Sequence, residues 1–469
     1  MTAGSADQLA SLKAKEDELL DTFSAYIKAE ENHLLTLRSV LQLLYINKIM
    51  DLEASEPITA YKLMERLRLE WTLIVKYTKT SLFQAYQDLL EDELYHLPNQ
   101  DDIDGAALGI IRLQEMYKLY PENVTTNPQT GIELQLNWGQ SFNLGKVAYL
   151  HKSYQHAFLW FLKSLSKIKE IKEEDTVQTK KVLYNYLSVS ASHLGHVPFA
   201  IYFATQRVNL DPSDLEARLD LALYKSKLST HTSHPDILTL NETSSSPYEA
   251  LCRGEDVKTE FRRTRQLTCR YNTGGGNPRL MYAPVKEEEV WDEPPIMIYH
   301  NVLSDSQMEQ LKNLSRPWLK RSEVVNTEGE PEVSYARVSQ TVWLNEDDDP
   351  LVSWVNQRLS DITGMDMESA EELQVLNYGI GGHFKPHYDA LLSDVSFGGS
   401  TVFPKIGTAL KPQKGSVVMW YNLLRNGQPD YRSLHAGCPV YKGSKWVAVK
   451  WIRERGQEFR RKCALSETE

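Results

Sequence analysis

The chain has 469 residues, of which 41% are hydrophobic and 25% are charged. These proportions are ordinary for a soluble globular protein, and the length is sufficient for two to four domains. The net charge of −11 argues against a general nucleic-acid binder, which would carry a basic surface. The sequence contains no apolar run approaching the roughly 18 residues that cross a bilayer, so we expect no membrane span.

Residues 1 to about 120 have the apolar spacing of amphipathic helices. Hydrophobic side chains recur at three- and four-residue steps, with charged residues between them. This stripe packs either within its own domain or against a second chain in a coiled-coil seam, and the pattern leaves both open. The recurring positions are Leu9, Leu12, Leu19, Phe23, Tyr26 and Ile27, then Leu34, Leu37, Leu41 and Leu44.

Residues 138–230 contain a degenerate helical repeat. Leu144 and Ala157 of the first copy are matched 43 residues later by Leu187 and Ala200. The spacing resembles a tetratricopeptide repeat, whose usual period is about 34 residues, with extra residues between the copies. Two copies predict a small helical module, and its concave face could bind a peptide.

Tyrosines are frequent in this repeat, and aromatic grooves suit polyproline II ligands. We therefore consider them candidates to line a peptide groove. For any single tyrosine, a place in the hydrophobic core is the alternative. The candidates are Tyr149, Tyr154, Tyr184, Tyr186 and Tyr224.

A polar linker over residues 231–250 separates this helical part from a region of different character. After residue 285, short β-rich runs alternate with Gly, Pro and Asp, which predicts a sandwich or jelly roll. The fold class is therefore α+β and multidomain. The expected domains are 1–130 (helical), 138–230 (tetratricopeptide-like) and 251–469, with a core over 370–455. The β-rich runs are Leu373–Tyr378, Ser400–Phe403, Ser416–Tyr421 and Trp446–Ile452.

The segment His387-Tyr388-Asp389 carries the first chemical signal. Residues two apart on a strand point to the same side, so His387 and Asp389 can face one metal ion. His435, on a later strand, can supply a third ligand. Two histidines and one carboxylate form the facial triad of non-haem Fe(II) oxygenases. Taken alone, the His-x-Asp pair could equally be a surface pair.

Lys445, ten residues after His435, strengthens this interpretation. A 2-oxoglutarate molecule chelates iron through its keto acid end, and its other carboxylate needs a fixed cation. The histidines, the carboxylate and the lysine in a β-rich context together predict a 2-oxoglutarate-dependent oxygenase.

The four cysteines fall into two pairs that are close in sequence. None of them forms a Cys-x-x-Cys motif, so a zinc or thioredoxin-type site is not expected. Of the three possible connectivities the local one is the simplest, and four buried thiols are the alternative. The residues are Cys252, Cys269, Cys438 and Cys463.

Two glycosylation sequons, beginning at Asn123 and Asn241, favour a secretory setting. The first residues, in contrast, have no signal-peptide pattern. Either the chain is cytosolic or its start has been lost, and the resemblance described next favours the second.

Several motifs resemble the α subunit of collagen prolyl 4-hydroxylase, and the similarity extends over essentially the whole chain. It implies Fe(II) ligands His387, Asp389 and His435, with Lys445 and Tyr378 binding 2-oxoglutarate. It also implies a double-stranded β-helix catalytic domain, and disulfides that join the cysteines as local pairs, 252 with 269 and 438 with 463. The motifs are Leu251–Glu255, Glu372–Asp389, Gly398–Pro404, Lys414–Asn422 and Arg455–Arg461.

The resemblance further implies hydroxylation of proline C4 in X-Pro-Gly peptides, with L-ascorbate as reductant. The implied partners are collagen-like or other proline-rich peptides, a second α chain through an N-terminal dimerisation region, and protein disulfide isomerase as β subunit. The implied location is the endoplasmic reticulum lumen. Within the tetratricopeptide-like domain, Tyr149, Tyr154, Tyr186 and Tyr224 are the expected peptide-binding residues.

The sequence departs from the family in three places. First, Arg453 stands where a histidine is usual, so it is a possible cosubstrate-side residue. Second, Val189 and Leu221 occupy expected tyrosine positions, and Asn185 replaces an aspartate. Third, the connection after Asp389 is shorter than in the family by roughly two dozen residues.

The short connection after Asp389 predicts a missing strand. Residues 390–395 can form one short strand or one loop before Gly398, but not both. The core would then lack a strand beside the metal and open the cosubstrate pocket to water, as in a splice form or an incomplete gene model. A catalytically impaired subunit that binds proline-rich peptides is therefore the alternative to an active hydroxylase.

Overall fold

The computed structural model of the chain describes residues 6–29, 34–47, 56–78, 91–92, 94, 97–126, 131–168, 173–228, 236–240, 246–325, 330–387 and 397–464. The chain divides into two compact units, Met1–Ser244 and Ser245–Glu469. The first unit is helical and the second is rich in strands, which confirms the predicted fold class. No helix within these described ranges is both long and apolar enough to cross a membrane.

The helices of the first unit form from the amphipathic segments that the sequence predicts. They are α1 (Ala6–Ala29), α2 (Leu34–Asn47), α3 (Pro57–Thr78), α4 (Gln100–Tyr117), α5 (Pro121–Thr125), α6 (Trp138–Leu150), α7 (Tyr154–Lys167), α8 (Glu173–His193), α9 (Val197–Leu210) and α10 (Leu215–Leu228).

Helix α1 buries its apolar stripe inside its own unit. Leu19 and Phe23 are 3% and 0% exposed, and the Phe23 ring meets Trp71 of α3 edge-on, with centroids 6.3 Å apart. Of the two arrangements left open by the sequence, packing within the unit therefore accounts for this stripe. In α2 the stripe residue Leu44 is 6% exposed, whereas Leu43 and Ile46, which lie outside the stripe, are 57% and 76% exposed.

The repeat helices α6 to α10 pack consecutively against one another. A reciprocal capping box starts α6, since Asn137 accepts from the Gln140 backbone N–H at 2.8 Å while Gln140 accepts from that of Asn137 at 3.1 Å. Gly145 lets α7 approach closely. A Cβ atom there would lie 2.7 Å from the Phe161 ring, so only glycine fits without displacing that ring.

The second unit contains four α-helices, three short 3₁₀ helices and sixteen strands within its described residues. The helices are α11 (Pro247–Cys252), α12 (Pro278–Tyr282), α13 (Asp305–Ser315) and α14 (Pro350–Thr363). The strands are β1 (Cys269–Asn272), β2 (Val285–Asp292), β3 (Pro295–His300), β4 (Lys320–Arg321), β5 (Val324–Val325), β6 (Pro331–Glu332), β7 (Gln340–Leu344), β8 (Leu373–Tyr378), β9 (Phe384–His387), β10 (Phe397–Gly398), β11 (Thr401–Phe403), β12 (Thr408–Leu410), β13 (Val417–Trp420), β14 (His435–Gly437), β15 (Val440–Lys442) and β16 (Lys445–Lys450).

Three four-stranded antiparallel sheets organise this unit, with strand orders β1-β2-β3-β13, β16-β8-β7-β4 and β12-β11-β14-β9. Alternation along β8 divides its side chains between two hydrophobic clusters. Leu373 and Val375 pack with α14, whereas Leu376 and Tyr378 pack with Phe403 between the sheets. The β-rich runs predicted from the sequence thus form β8, β11, β13 and β16.

Strands β13 and β16 each end their sheet within the described residues, and both line one cavity of about 570 Å³. The consecutive residues 417–421 and 448–452 all contact it. A cavity on one face of a sheet would touch only alternate residues, so this cavity lies between the two strand edges. Residues 390–395, for which the sequence predicts too little chain for a strand and a turn, lie outside the described residues.

The disulfide in the second unit joins Cys252 to Cys438, with Cα atoms 5.6 Å apart. The expected local pairing of Cys252 with Cys269 and Cys438 with Cys463 is therefore wrong, since Cys269 and Cys463 are free and exposed. The observed pairing depends on tertiary contacts rather than on proximity in sequence. Helix α11 packs on β11 and β12, which brings its last residue beside the turn after β14.

We predict that peptide mapping without reduction recovers a cross-link between Cys252 and Cys438, while Cys269 and Cys463 react with an alkylating agent. The bond closes a loop with a sequence separation of 186 residues. A loop of this length is worth on the order of 5 kcal/mol in the chain-entropy model, so Cys252→Ser should lower the free energy of unfolding by up to about that amount. Cys463→Ser is the matched control and should change it little. Recovery of a peptide linking Cys252 to Cys269 would contradict the prediction.

Candidate metal centre and cosubstrate pocket

Two histidines on neighbouring strands form the centre of the site. His387 ends β9 and His435 begins β14, and the two residues are direct partners in the antiparallel ladder. Their ring centroids lie 4.5 Å apart. The pairing of β9 with β14 thus brings together two of the ligands predicted from the sequence.

A glycine turn leads the chain into β9. Gly381 has a φ of 69°, which residues with a side chain rarely adopt. At Gly382 a Cβ atom would lie 2.7 Å from the Gly379 carbonyl oxygen and 2.9 Å from that of Val338. The His383 and Val338 backbones then bond reciprocally, at 2.8 and 3.2 Å. The turn therefore fixes the direction from which His387 reaches the site.

Each histidine ring is oriented by its own backbone. The Nδ1 atom of His387 donates to the Lys385 carbonyl at 2.6 Å, and that of His435 donates to the Ser433 carbonyl at 3.0 Å. A carbonyl can only accept, so in the neutral rings Nε2 is the atom with the basic lone pair. This orientation by an outer hydrogen bond is typical of metal-binding histidines.

The two histidines differ in their surroundings. His435 is 0% exposed, and Trp420 and Phe403 surround it with ring centroids at 4.7 and 5.6 Å. His387 is half-buried, with the Phe384 ring stacked on it at 3.3 Å. An apolar wall thus closes one side of the pair, which limits the access of water to anything bound there.

The donor set fits a divalent first-row metal, because two neutral imidazoles suit iron and leave coordination positions for further ligands. Asp389, the expected third ligand, lies outside the described residues. Among the described ones, no group of three or more His, Cys, Asp and Glu side chains gathers into a metal site. The role of Asp389 therefore stays a prediction.

Lys445 is a fully buried cation at the start of β16, with 2% of its surface exposed. Its Nζ donates to the Gly399 carbonyl at 2.8 Å and lies 5.6 Å from the centre of the Tyr378 ring, its partner on β8. Burial lowers the pKa of Lys445 to about 7. No carboxylate of the described chain forms an ion pair with it. A bound carboxylate would therefore supply its missing counter-charge.

The structure separates Arg453 from this lysine. Lys445 opens β16 and Arg453 follows its end, and the strand alone spans about 16 Å. The Arg453 side chain is 62% exposed and forms an ion pair with Glu371. It therefore lies on a different surface from the buried amine, contrary to a shared role with Lys445 in holding the cosubstrate.

In the first unit, four aromatic rings form one surface cluster. Tyr149 meets Tyr154 and Tyr186 edge-on, with centroids at 5.5 and 5.3 Å. Tyr154 stacks flat on His193 at 4.1 Å. Three of the tyrosines predicted to line a peptide groove are thus brought together, and His193 joins them without having been predicted.

Two residues of the repeat domain, both singled out in the sequence, have structural roles rather than places on the ring cluster. Tyr224 is only 5% exposed, as the alternative of a core tyrosine allowed, so its ring is not a surface for a ligand. Asn185, the residue that replaces an aspartate, accepts a hydrogen bond from Arg207 at 2.8 Å. Arg207 also pairs with Asp214 and Glu216, which fastens α8 and α9 to the segment leading into α10.

Sequence reasoning missed two arginines near the histidine pair. The guanidinium of Arg337 lies over the Phe384 ring at 4.8 Å, and Phe384 stacks on His387. Arg321 lies close enough to Arg337 for the two charges to repel. Neither belongs to a motif, and only the pairing of β4 with β7 brings Arg321 into this region.

The fold and the histidine–lysine arrangement define a class of protein, the 2-oxoglutarate- and Fe(II)-dependent oxygenases. Family comparison agrees, since residues 373–453 match the 2OG-Fe(II) oxygenase superfamily. Residues 5–128 match the prolyl 4-hydroxylase alpha-subunit N-terminal region, and residues 139–230 match the prolyl 4-hydroxylase peptide-substrate-binding domain.

Full-length relatives identify the family. The chain is 35% identical to bovine (Bos taurus) prolyl 4-hydroxylase subunit alpha-1, with 99% of this chain and 96% of the relative covered. It is 36% identical to chicken (Gallus gallus) subunit alpha-2, with 99% and 95% covered. A solved viral collagen prolyl hydroxylase from Paramecium Bursaria Chlorella virus-1 is 23% identical over 34% of this chain and 95% of its own, with a TM-score of 0.28. The chain belongs to the prolyl 4-hydroxylase alpha-subunit family.

We predict that Lys445→Ala raises the KM for 2-oxoglutarate, because it removes the only cation we assign to the distal carboxylate. In the unchanged chain, affinity should fall as pH rises above about 7, by up to about tenfold per pH unit, since the neutral amine cannot pair with a carboxylate. Lys445→Arg should abolish this pH dependence, and Lys450→Ala is the control on the same strand. Titration of 2-oxoglutarate binding at several pH values checks both points. A KM unchanged in Lys445→Ala would transfer the role to another residue.

We predict that Tyr149→Ala and Tyr154→Ala each weaken the binding of a (Pro-Pro-Gly)-type peptide by about tenfold, because each removes an aromatic face from the cluster. Tyr202→Ala is the control, since Tyr202 is 54% exposed and lies outside the four-ring cluster. Isothermal titration of the three variants gives the comparison. Equal losses in all three would show that the cluster is not the binding surface.

Proposed function

We propose that this chain is a procollagen-proline 4-dioxygenase, which hydroxylates proline C4 in X-Pro-Gly peptides with O2 and 2-oxoglutarate. The observation that carries the proposal is the His387–His435 pair, oriented through Nδ1 and joined by the buried Lys445 on one scaffold. The family relationship supports the same reaction. The products would be 4-hydroxyproline, succinate and CO2.

In this proposal the iron ligands are His387, His435 and Asp389, and when bound the metal and its cosubstrate supply the oxidising chemistry. The protein residues hold the metal and orient the cosubstrate. The two carbonyl-bonded Nδ1 atoms fix the imidazole planes, and Lys445 anchors the distal carboxylate beside Tyr378. Trp420 and Phe403 exclude water from the side of His435.

The remaining assignments are part of the same proposal. Residues 138–230 would bind proline-rich peptides through Tyr149, Tyr154 and Tyr186, and residues 1–130 would carry dimerisation. Residues 251–469 would form the catalytic domain. L-ascorbate would maintain the iron in its reduced state, protein disulfide isomerase would be the β subunit, and the site of action would be the endoplasmic reticulum lumen. These features follow from the family resemblance.

A second candidate function is a peptide-binding subunit with an impaired catalytic domain. The cavity of about 570 Å³ between the edges of β13 and β16 favours it, because Trp420 lines that cavity and also covers His435. Water entering this cavity would be separated from His435 only by the Trp420 ring. Polar solvent in the site weakens electrostatic positioning, so turnover would be slow while peptide binding by the first unit persists.

A direct test incubates the purified full-length chain with Fe(II), 2-oxoglutarate, ascorbate and a (Pro-Pro-Gly)-type peptide. We predict peptide-dependent formation of succinate and 4-hydroxyproline, and a loss of more than about 100-fold in His435→Ala, because a three-ligand site does not tolerate the loss of one ligand. Fe(II) binding under anaerobic conditions should fall in the same variant. His300→Ala is the control, since His300 on β3 bonds Glu288 instead.

The outcomes separate the two candidates. Succinate formed only with peptide supports the hydroxylase. Peptide binding without consumption of 2-oxoglutarate supports the binding subunit. Near-normal hydroxylation in His435→Ala would end the assignment of this histidine as a ligand.

A further inference from the structure

A groove in the second unit lies along the open edge of β7, beyond the two residues of β4. The consecutive residues 341–344 line it, and its volume is about 1010 Å³. Three tryptophans contribute apolar surface to its walls, of which Trp318 and Trp343 are 68% and 40% exposed. We call this surface the β7 groove. Its lining includes Trp318, Arg321, Arg337, Thr341, Trp343 and Trp451.

Arg321 and Arg337 both line the β7 groove, and no carboxylate in the described chain forms an ion pair with either. Each makes one long hydrogen bond of 3.4 Å through Nη1, from Arg321 to the Ser339 carbonyl and from Arg337 to the Glu323 carbonyl. Burial lowers the pKa of Arg321, and the neighbouring Arg337 charge lowers it further. Glu323, Asp348 and Glu371 also line the groove, and Glu371 pairs with Arg453. The two guanidinium groups thus share one region without forming an ion pair to any of these described carboxylates.

Several polar atoms in the groove are buried without a hydrogen-bond partner. They include Nε of Arg321, Nε of Arg337 and Oγ1 of Thr341. Burying such donors without partners costs roughly 1–3 kcal/mol each. An oxygen anion would satisfy the two arginine donors, because each can donate a hydrogen bond and each carries positive charge.

The β7 groove is connected to His387 by stacked side chains. The Arg337 guanidinium lies 4.8 Å from the Phe384 ring centre, and that ring lies 3.3 Å from the His387 ring centre. An anion held by Arg337 would therefore lie two stacked groups from His387, which is within the reach of neighbouring residues of an extended peptide.

We propose that Arg321 and Arg337 form a carboxylate subsite of the β7 groove, which binds an acidic side chain of the peptide substrate close to the proline presented at His387. This inference rests on the proposed hydroxylase function and adds a preference among its substrates. A peptide with Glu or Asp near the target proline binds better than its amide counterpart.

The shape of the groove favours a peptide over a free small anion. A volume of about 1010 Å³ along an open strand edge is large for a small dicarboxylate, and three tryptophans offer surface for an extended chain. The buried Lys445 already provides an enclosed cation for 2-oxoglutarate. The arginine fork matches a carboxylate that arrives from an open groove, where it can be bound through two nitrogens.

The test uses the full-length chain and two (Pro-Pro-Gly)-type peptides that differ only by Glu or Gln at one X position. Dissociation constants come from isothermal titration. We expect the Glu peptide to bind about tenfold more tightly, as for a hydrogen bond to a charged group. Arg321→Gln and Arg337→Gln should each reduce this preference to less than about twofold.

Matched control variants test whether the preference for the Glu peptide depends on Arg321 and Arg337 in particular. Lys286→Gln removes an exposed charge on β2, outside the lining of the groove, and should leave the preference unchanged. Arg321→Lys keeps the charge but loses the fork, so it should restore part of the preference. Thermal unfolding of every variant identifies any that fails to fold. Because the first unit can also bind these peptides, the Glu-to-Gln ratio is compared between variants, which isolates the coupling to each arginine.

Three results would overturn the proposal. These are equal affinity for the two peptides, a preference that survives both Arg321→Gln and Arg337→Gln, and a preference that added succinate abolishes, which would assign the subsite to a free dicarboxylate. Hydroxyproline formation is measured in parallel. If neither peptide is hydroxylated, the proposed function fails, and the binding ratio still decides the subsite.

Discussion

The register of β9 against β14 is the constraint on which the site depends. His387 pairs with His435 across this ladder, and a slip of one residue would turn one of the rings to the opposite face of the sheet. Neighbouring contacts hold the register from both sides. Strand β11 pairs with β14 through Val402 and Ala436, and the backbone of Val338 bonds that of His383 just before β9.

Much of this arrangement could be predicted from the sequence, because it depends on local patterns. Short β-rich runs between Gly, Pro and Asp residues predict strands at Leu373–Tyr378 and Trp446–Ile452, and the structure has strands at Leu373–Tyr378 and Lys445–Lys450. The spacing of ten residues from His435 predicts Lys445 as the cation for 2-oxoglutarate, and the structure buries it opposite Tyr378. A lysine within a strongly apolar β-rich run is noticeable in a sequence, since a lysine is rarely buried in an apolar interior without a partner.

Contacts between elements distant in sequence could not be predicted. The short spacing between cysteines favoured local disulfides, but helix α11 carries Cys252 to Cys438. Tyr224 was a candidate for the peptide groove and yet is buried. The sequence alone does not say which neighbour covers a ring. Arg321 and Arg337 lie in no motif, and only the antiparallel pairing of short strands groups them.

The two cationic sites proposed for the second unit would bind carboxylates in physically different ways. Lys445 is a desolvated point charge bonded to one carbonyl, so its attraction for an anion is strong only while the surroundings exclude water. The guanidinium groups of Arg321 and Arg337 are half-buried along a groove, where the geometry of two nitrogen donors adds to their charge in selecting a carboxylate. The edge cavity between β13 and β16 therefore has unequal consequences. Water entering beside Trp420 would weaken the positioning of the cosubstrate by Lys445. Arg321 and Arg337 do not line that cavity, so they would keep their preference for acidic peptides.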